Sequence, residues 1–311
     1  MSRSGPWPAL PLVGWQDTRA TLHLWTQIVG KVRLALAPPA NHWWHVPLYV
    51  NARGLTTSAM PHDGVAVELT FDFLDHALRV ETSAGARREV ALEPRSVASF
   101  YRAVMAALSD AGTPVRISPW AVELPEVIRI DRDETHAAYD ADAAQRFWRL
   151  LLQADRVLHR FRGRFVGKCS PVHFWWGSFD LSCTRFSGRP APAHPGGIPN
   201  LPDRVTREAY SHECISAGWW PGGGPVAEPA FYAYAYPEPA GCPEAAVRPA
   251  EARYHPGLRE WVLPYDVVRE ARDGDAVLLD FLESTYAAAA RLGGWDRAAL
   301  ERASSGSRGA P

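Results

Sequence analysis

The pattern of apolar and polar residues divides the chain into helical and extended segments. Apolar side chains recur at helical spacing from Leu22 through Trp25 and Ile28, and such spacing places them on one face of an amphipathic helix. Asp17 is the predicted N-cap of this helix. The proline pair at 38–39 is expected to end it, because proline cannot continue a helix.

Three β-rich runs follow, at residues 42–52, 65–73 and 77–83, with turn-forming residues between them. Runs of this composition joined by short turns favour an antiparallel meander. A second helix is predicted from about 96 to 110, ending at Gly112. The first part of the chain therefore has the order helix, strands, helix.

The same order recurs further along the chain. A long amphipathic helix is predicted over about 140–165, strands over 172–186, 208–220 and 229–239, and a closing helix over 276–293. The last of these strands alternates tyrosine and alanine, so its tyrosines share one face of the sheet.

These elements predict an α+β fold of two pseudo-repeated halves, each a helix, an antiparallel sheet and a helix, packed as one globular unit. We expect a first half at 1–118, an extended crossover at 119–139, a second half at 140–302 and a disordered tail at 303–311.

Short motifs also match between the halves, which indicates an internal duplication. Each half has a Val-Gly-Lys tripeptide, then a Trp-Trp pair, then an arginine nine residues later. The matched residues are Lys31, Trp43–Trp44 and Arg53 in the first half, and Lys168, Trp175–Trp176 and Arg185 in the second. If the two sheets pack side by side or face to face, matched features meet near a shared axis, where clefts tend to form.

Composition narrows the function classes. The formal net charge is −1 and no basic stripe is present, which argues against nucleic acid as a partner. No apolar run reaches the roughly 18 residues of a membrane span, and no signal-peptide core is evident, so we expect a cytoplasmic protein without a membrane partner. The four cysteines form no C-x-x-C pair, and the sequence leaves the oligomeric state open.

The two lysines are the strongest candidates for ligand contact. Of 33 basic residues 31 are arginine, so lysine at two matched positions suggests a need for a compact ammonium group. The predicted ligand-binding residues are Lys31, Lys168, Trp44, Trp176, Arg53, Arg185 and Tyr234. The alternative is that each lysine lies in the last turn of its helix and caps the helix carbonyls.

Histidines and carboxylates suggest a second hypothesis, a metal-dependent enzyme. His212, Glu213 and Asp180 are the predicted catalytic residues, and His173, His212, His42 and His45 are the candidate ligands of a divalent transition metal. Buried structural histidines are the alternative reading. No nucleotide or dinucleotide motif is present. A third hypothesis is an interaction module whose exposed tryptophan patches bind a partner chain.

The segments NHWWHVPLYV, GKCSPVHFWWGSFDL and YSHECISAGWWPGGG resemble a bacterial family of conserved domains of unknown function over nearly the whole chain. The resemblance implies no activity and no catalytic residues. The sequence therefore favours an uncharacterised enzyme or binder of a small anionic or aromatic metabolite in a Trp/Tyr-lined cleft between the halves, and it leaves open whether the protein is an enzyme.

Overall fold

The computed structural model describes residues 7–303. The predicted α+β class is confirmed: these residues contain seven helices and two six-stranded antiparallel sheets. Most of the tail predicted to be disordered, and residues 1–6, lie outside the described residues. None of the described helices is long and apolar enough to cross a membrane.

The first half runs helix, strands, helix, as the sequence predicts. Its elements are α1 (Gln16–Leu36), β1 (Tyr49–Val50), β2 (Gly54–Thr56), β3 (Met60–His62), β4 (Val65–Asp72), β5 (Ala77–Thr82), β6 (Arg87–Ala91) and α2 (Val97–Asp110). Helix α2 begins where expected because the Ser96 hydroxyl accepts a hydrogen bond from the Ser99 amide at 3.1 Å.

The second half repeats this order with added short helices. Its elements are α3 (Ala141–Gly163), β7 (His173–Trp175), β8 (Asp180–Pro190), α4 (Asp203–Ala209), β9 (His212–Trp220), β10 (Ala230–Tyr236), β11 (Arg253–His255), β12 (Glu260–Pro264), α5 (Tyr265–Glu270), α6 (Gly274–Leu292) and α7 (Arg297–Leu300). Asp140 caps α3 by accepting from the Ala143 amide at 2.9 Å.

The two sheets meet edge to edge. The first has the order β1-β2-β4-β5-β6, with β3 also paired to β4, and the second has the order β11-β12-β10-β9-β8-β7. Leu48, just before β1, exchanges two backbone hydrogen bonds of 2.9 Å with Phe174 of β7. This contact joins the edge strands of the two sheets and brings the segments that carry both tryptophan pairs together.

Helix α1 lies at the centre of the molecule, with residues 21–33 all buried. It packs against α2, α3 and β3. Its predicted N-cap is wrong: Trp15 occupies that position and Asp17 lies in the first turn.

The extended run predicted at 42–52 is also largely wrong. Asn41–Trp43 forms a 3₁₀ turn in which His42 and Trp43 have left-handed φ angles of 56° and 61°, and only Tyr49–Val50 is strand. The His42 ring is held in this turn by its Nδ1–H, which donates to the Ala209 carbonyl at the end of α4 at 2.9 Å.

Candidate functional site

A stripe of polar residues runs along the buried helix α1 and positions one wall of a cleft. His23, Gln27 and Lys31 follow one another at four-residue spacing, so their side chains lie on one helical face. All three are buried. His23 Nε2–H donates to the Gly177 carbonyl at 2.8 Å, which ties the turn between β7 and β8 to this helix.

Gln27 fixes the crossover segment. Its side-chain amide donates to the Val122 carbonyl at 2.8 Å and accepts from the Val122 amide at 2.9 Å. The next residue, Glu123, has a left-handed φ of 60° and donates its backbone N–H to the Pro199 carbonyl at 2.9 Å. A non-glycine residue in this region is uncommon and is often found at functional sites.

The Glu123 carboxyl lies directly on Gly177. A Cβ at position 177 would come within 2.0 Å of Glu123 Oε1, so glycine is needed there for the carboxyl to occupy its place. Among the residues that the structure describes, no side chain or backbone group donates a hydrogen bond to this carboxyl. Glu123 therefore faces the cleft without a fixed partner.

The cleft has two connected parts. The tryptophan pocket has a volume of about 660 Å³ and is lined by Lys31, His42, Trp43, Trp44, Trp175, Trp176 and Arg204, among others. The acidic pocket has a volume of about 740 Å³ and is lined by Glu238, Glu260, Tyr236 and Arg259, among others. Glu123, Asp180, Tyr210, Tyr232 and Tyr234 line both. Each part is of the size that holds a small organic ligand.

The two lysine–tryptophan motifs are exchanged between the halves. Lys31 Nζ lies 5.6 Å from the ring centroid of Trp176, and Lys168 Nζ lies 5.3 Å from that of Trp44. Each ammonium group thus stacks on the second tryptophan of the other half's pair, in cation–π contact. Lys31 and both tryptophan pairs line one cavity. Lys168, also a predicted ligand-binding residue, lines neither pocket, because its ammonium lies on Trp44 from an exposed loop.

The helix-cap alternative for the lysines is wrong. Lys31 lies within α1 rather than in its last turn, and Lys168 lies in the loop after α3. Gly30 lies inside α1. Its lack of a side chain leaves room for the Trp176 ring, since a Cβ at position 30 would lie 2.3 Å from atoms of that ring.

Lys31 is buried, with 4% of its surface exposed. Within residues 7–303, its Nζ forms no hydrogen bond and no ion pair. Burial lowers the pKa of Lys31 to about 8, and the charge of Glu123 opposes part of this shift. The side chain consequently presents its amine to the cleft.

Lys168 is exposed and hydrogen-bonded. His42 donates from Nδ1, so its Nε2 accepts from the Lys168 ammonium at 2.6 Å. Burial, and to a lesser extent Lys168, lowers the pKa of His42 and keeps its ring neutral. Lys168 touches the wall of the tryptophan pocket through Trp44 and His42.

Three carboxyls of the cleft have raised pKa values. Burial raises the pKa of Glu123 to about 7, with a further contribution from the charge of Asp180. The pKa of Asp180 is raised to about 6 by burial, against the hydrogen bonds from Ser178 and Tyr232. Glu260 has its pKa raised to about 7 by burial and by Asp180. These groups exchange protons close to neutral pH.

The predicted tyrosine face of β10 is confirmed. Tyr232, Tyr234 and Tyr236 all line the acidic pocket, and the Tyr234 hydroxyl forms a 2.7 Å hydrogen bond with that of Tyr210. Burial raises the pKa of Tyr232 and Tyr234 well above the ordinary value, so both phenols stay protonated.

The two arginines of the matched motifs line neither pocket, so the expectation that they join Lys31 at the cleft is wrong. Arg53, near the β1–β2 turn, forms ion pairs with Asp72 and Asp75. Arg185 is 1% exposed, with its guanidinium 3.4 Å from the Phe161 ring centroid. Both guanidinium groups are therefore engaged in contacts within the fold.

The predicted catalytic set is not brought together. Asp180 lines the cleft, whereas Glu213 points to the other face of β9 and pairs with Arg189 at 2.7 Å. His212 lies on the same face of β9 as Cys214, but it does not line either pocket. Alternation along the strand separates Glu213 from its neighbours.

The four candidate metal ligands do not converge either. His42 and His212 have ring centroids 5.5 Å apart, His45 Nδ1 accepts from the Ala40 amide at 3.1 Å, and His173 packs between aromatic rings. Within residues 7–303, no group of three or more His, Cys, Asp or Glu side chains is arranged to hold a metal ion. The metal hypothesis gains no support from this geometry.

Sequence reasoning missed three cleft residues, Glu123, Glu260 and Arg204. The polar residues His23, Gln27 and Lys31, at four-residue spacing in the buried part of α1, were a usable signal for the position of the site. Arg204, on α4, is exposed at the rim and lies 5.6 Å from the Trp43 ring centroid.

The fold and the cleft define a two-sheet α+β protein with a cleft lined by aromatic and polar side chains. Residues 7–302 match the DUF5996 family, described as a family of unknown function, and the chain belongs to that family. No curated protein and no solved structure matches the chain.

Proposed function

We propose that the chain binds a small aromatic anion in the tryptophan pocket. The observation that carries this proposal is that four tryptophans and two cations without ion-pair partners among the described residues, Lys31 and Arg204, line one cavity. Aromatic walls favour a flat ring, and a guanidinium group at the rim suits a carboxylate, which it can bind through two hydrogen bonds.

The charges of the acidic pocket indicate the orientation of the bound ligand. Glu238 and Glu260 line only the acidic pocket and disfavour a second anion there, so the anionic group of the ligand is expected in the tryptophan pocket, which Lys31 and Arg204 line. The protonated tyrosines and carboxyls can donate hydrogen bonds to oxygen atoms at the other end.

An interaction module with exposed tryptophan patches is less well supported. None of the six paired tryptophans is exposed, and Trp219 is fully buried. These side chains shape a cavity and the core rather than an open surface.

Calorimetric titration with benzoate, phenyllactate and indole-3-acetate tests the proposal. We expect saturable binding that is weakened at least about tenfold, or about 1.4 kcal/mol, in Trp44→Leu and in Arg204→Met. Trp120→Leu is the matched tryptophan control, because Trp120 is 47% exposed and lies outside the cleft. Arg207→Met is the control on α4, since Arg207 pairs with Asp203.

Loss of binding confined to Trp44→Leu and Arg204→Met supports the tryptophan pocket as the site. Absence of binding of all three anions to the unmodified chain, or equal weakening in the control variants, contradicts the proposal.

A further inference from the structure

The amine of Lys31 is placed where lysine is seldom found. It projects from the buried part of α1, is almost fully shielded, and still lines a cavity of about 660 Å³. Lysine is rarely buried unless it is paired, and within residues 7–303 this amine has neither an ion pair nor a hydrogen bond. A small ligand in the pocket can reach it, whereas bulk solvent largely cannot.

Two neighbours hold the amine in this environment. The Trp176 ring lies beneath Nζ and is fixed there by its indole N–H, which donates to the Val46 carbonyl at 2.8 Å. The Glu123 carboxyl faces the same cleft and is close enough to influence the charge of the amine. An amine and a carboxyl that share a cavity but do not pair are both free to act on a bound molecule.

We propose that Lys31 is a nucleophile that forms an imine with the carbonyl group of an aromatic 2-oxo acid bound in the tryptophan pocket, with Glu123 as the proton carrier. This inference rests on the proposed function for the position of the ligand. It goes beyond it by assigning a covalent step and a carbonyl substrate class.

The step balances without a further reactant. The lone pair of neutral Nζ attacks the carbonyl carbon, a C–N bond forms, and the carbonyl electrons move to oxygen, which takes a proton from the Glu123 carboxyl. Nζ then returns a proton to the Glu123 carboxylate. A second transfer in the same sense releases the oxygen as water and leaves the C=N bond, so amine and carbonyl give imine and water.

The electrostatics of the pocket suit this chemistry. With a pKa of about 8, roughly one Lys31 side chain in ten is neutral at about pH 7, against roughly one in three thousand at the ordinary value. A Glu123 pKa of about 7 supplies both the acid and its conjugate base, which is what a proton carrier requires.

Lys168 provides a control within the same chain. It is the only other lysine, it also lies on a tryptophan ring, and it is more exposed than Lys31. Its ammonium is hydrogen-bonded to His42. If exposure alone decided reactivity, Lys168 would be the more reactive of the two.

Reductive trapping tests the proposal on the full chain. The protein is incubated with phenylpyruvate and sodium cyanoborohydride near neutral pH, and peptide mass spectrometry locates the reduced adduct. We expect at least about tenfold more adduct on Lys31 than on Lys168, loss of the Lys31 adduct in Lys31→Arg, and slower labelling in Glu123→Gln. Lys168→Arg should leave Lys31 labelling unchanged.

Phenyllactate, which has a hydroxyl in place of the carbonyl, separates this inference from the proposed function. Binding of phenyllactate without a Lys31 adduct from phenylpyruvate overturns the imine step and leaves the binding function standing. Failure of the chain to bind phenyllactate and to form an adduct overturns both. Because the wild-type peptide map identifies the labelled lysine, the result does not depend on whether a variant folds.

Discussion

Lys31 and Lys168 lie on equivalent tryptophans of opposite halves, yet their surroundings differ. Lys31 is buried in α1 and has no ion pair or hydrogen bond within the described chain, whereas Lys168 lies in an exposed loop and is bonded to the neutral ring of His42. Burial lowers the pKa of Lys31 to about 8. The partial desolvation of Lys168 also lowers its pKa. Matched sequence motifs therefore do not give the two ammonium groups matched surroundings.

We expect the largest difference between the two sites in the free energy of unfolding when the glycine before each lysine is replaced by alanine. Gly30→Ala would bring a Cβ to 2.3 Å from the Trp176 ring, and that ring is held by its bond to Val46. Overpacking of this kind costs about 1–3 kcal/mol, despite the better helix propensity of alanine. We expect a loss of about 2 kcal/mol in the free energy of unfolding, measured by urea denaturation.

Gly167→Ala is the matched change in the second half. Its Cβ would meet side-chain atoms of Leu300 and Phe165, the nearest at 2.5 Å. Leu300 lies in the short helix α7 near the end of the chain and can shift, so we expect a loss below about 1 kcal/mol. An equal loss in both variants would show that the Gly30–Trp176 contact is not specially constrained.

Replacing the lysines by methionine should separate their contributions to stability. The pKa of Lys31 is about 8 in the folded chain, against 10.5 for an ordinary lysine. Between these two pH values the unfolded chain binds more protons than the folded chain, so the free energy of unfolding rises with pH across that window. At neutral pH Lys31 is charged in both the folded and the unfolded chain, so burying its charge lowers the free energy of unfolding by the full amount. Lys31→Met should therefore raise the free energy of unfolding by about 1–3 kcal/mol.

This gain should shrink as the pH rises from 8 to 10.5, because the wild-type amine becomes neutral there. Lys168→Met should change the stability at neutral pH by no more than about 0.5 kcal/mol, as is usual for exposed positions. Chemical denaturation over this pH range measures both effects. A destabilised Lys31→Met variant at neutral pH would mean that the ammonium has a partner in solution.

The smallest effect concerns the contact between Lys168 and His42. Burial is the main cause of the lowered pKa of His42 and the charge of Lys168 adds to it. In Lys168→Met the pKa of His42 should rise but stay below its ordinary value, as followed by histidine NMR signals. A fall in this pKa would contradict the assigned hydrogen bond.

Much of the fold follows from local sequence patterns. The helices α1, α2, α3 and α6 and the strands β4, β5, β9 and β10 lie close to their predicted positions, because each has a strong period and clear turn residues at its ends. The strand predicted around Trp43 was wrong. The aromatic composition of the segment suggested a strand, whereas the contact of His42 with α4 imposes a left-handed turn.

The cleft could be predicted only in part. Lys31, Trp44, Trp176 and Tyr234 were identified from the repeat and the strand alternation, and the structure brings them together. Glu123 was not, because its position depends on the Gln27 contact across 95 residues of sequence and on the absence of a side chain at Gly177. Arg53 and Arg185 show that a matched spacing does not guarantee a matched environment.

Titration of the two lysines tests most directly whether Lys31 is a buried amine without a partner. Protein labelled with ¹³C at lysine Cε should give two side-chain NMR signals, because the chain contains two lysines, and Lys31→Arg assigns them. We expect Lys31 to titrate near pH 8, below Lys168. A Lys31 midpoint at the ordinary value of 10.5, or above that of Lys168, would contradict this expectation.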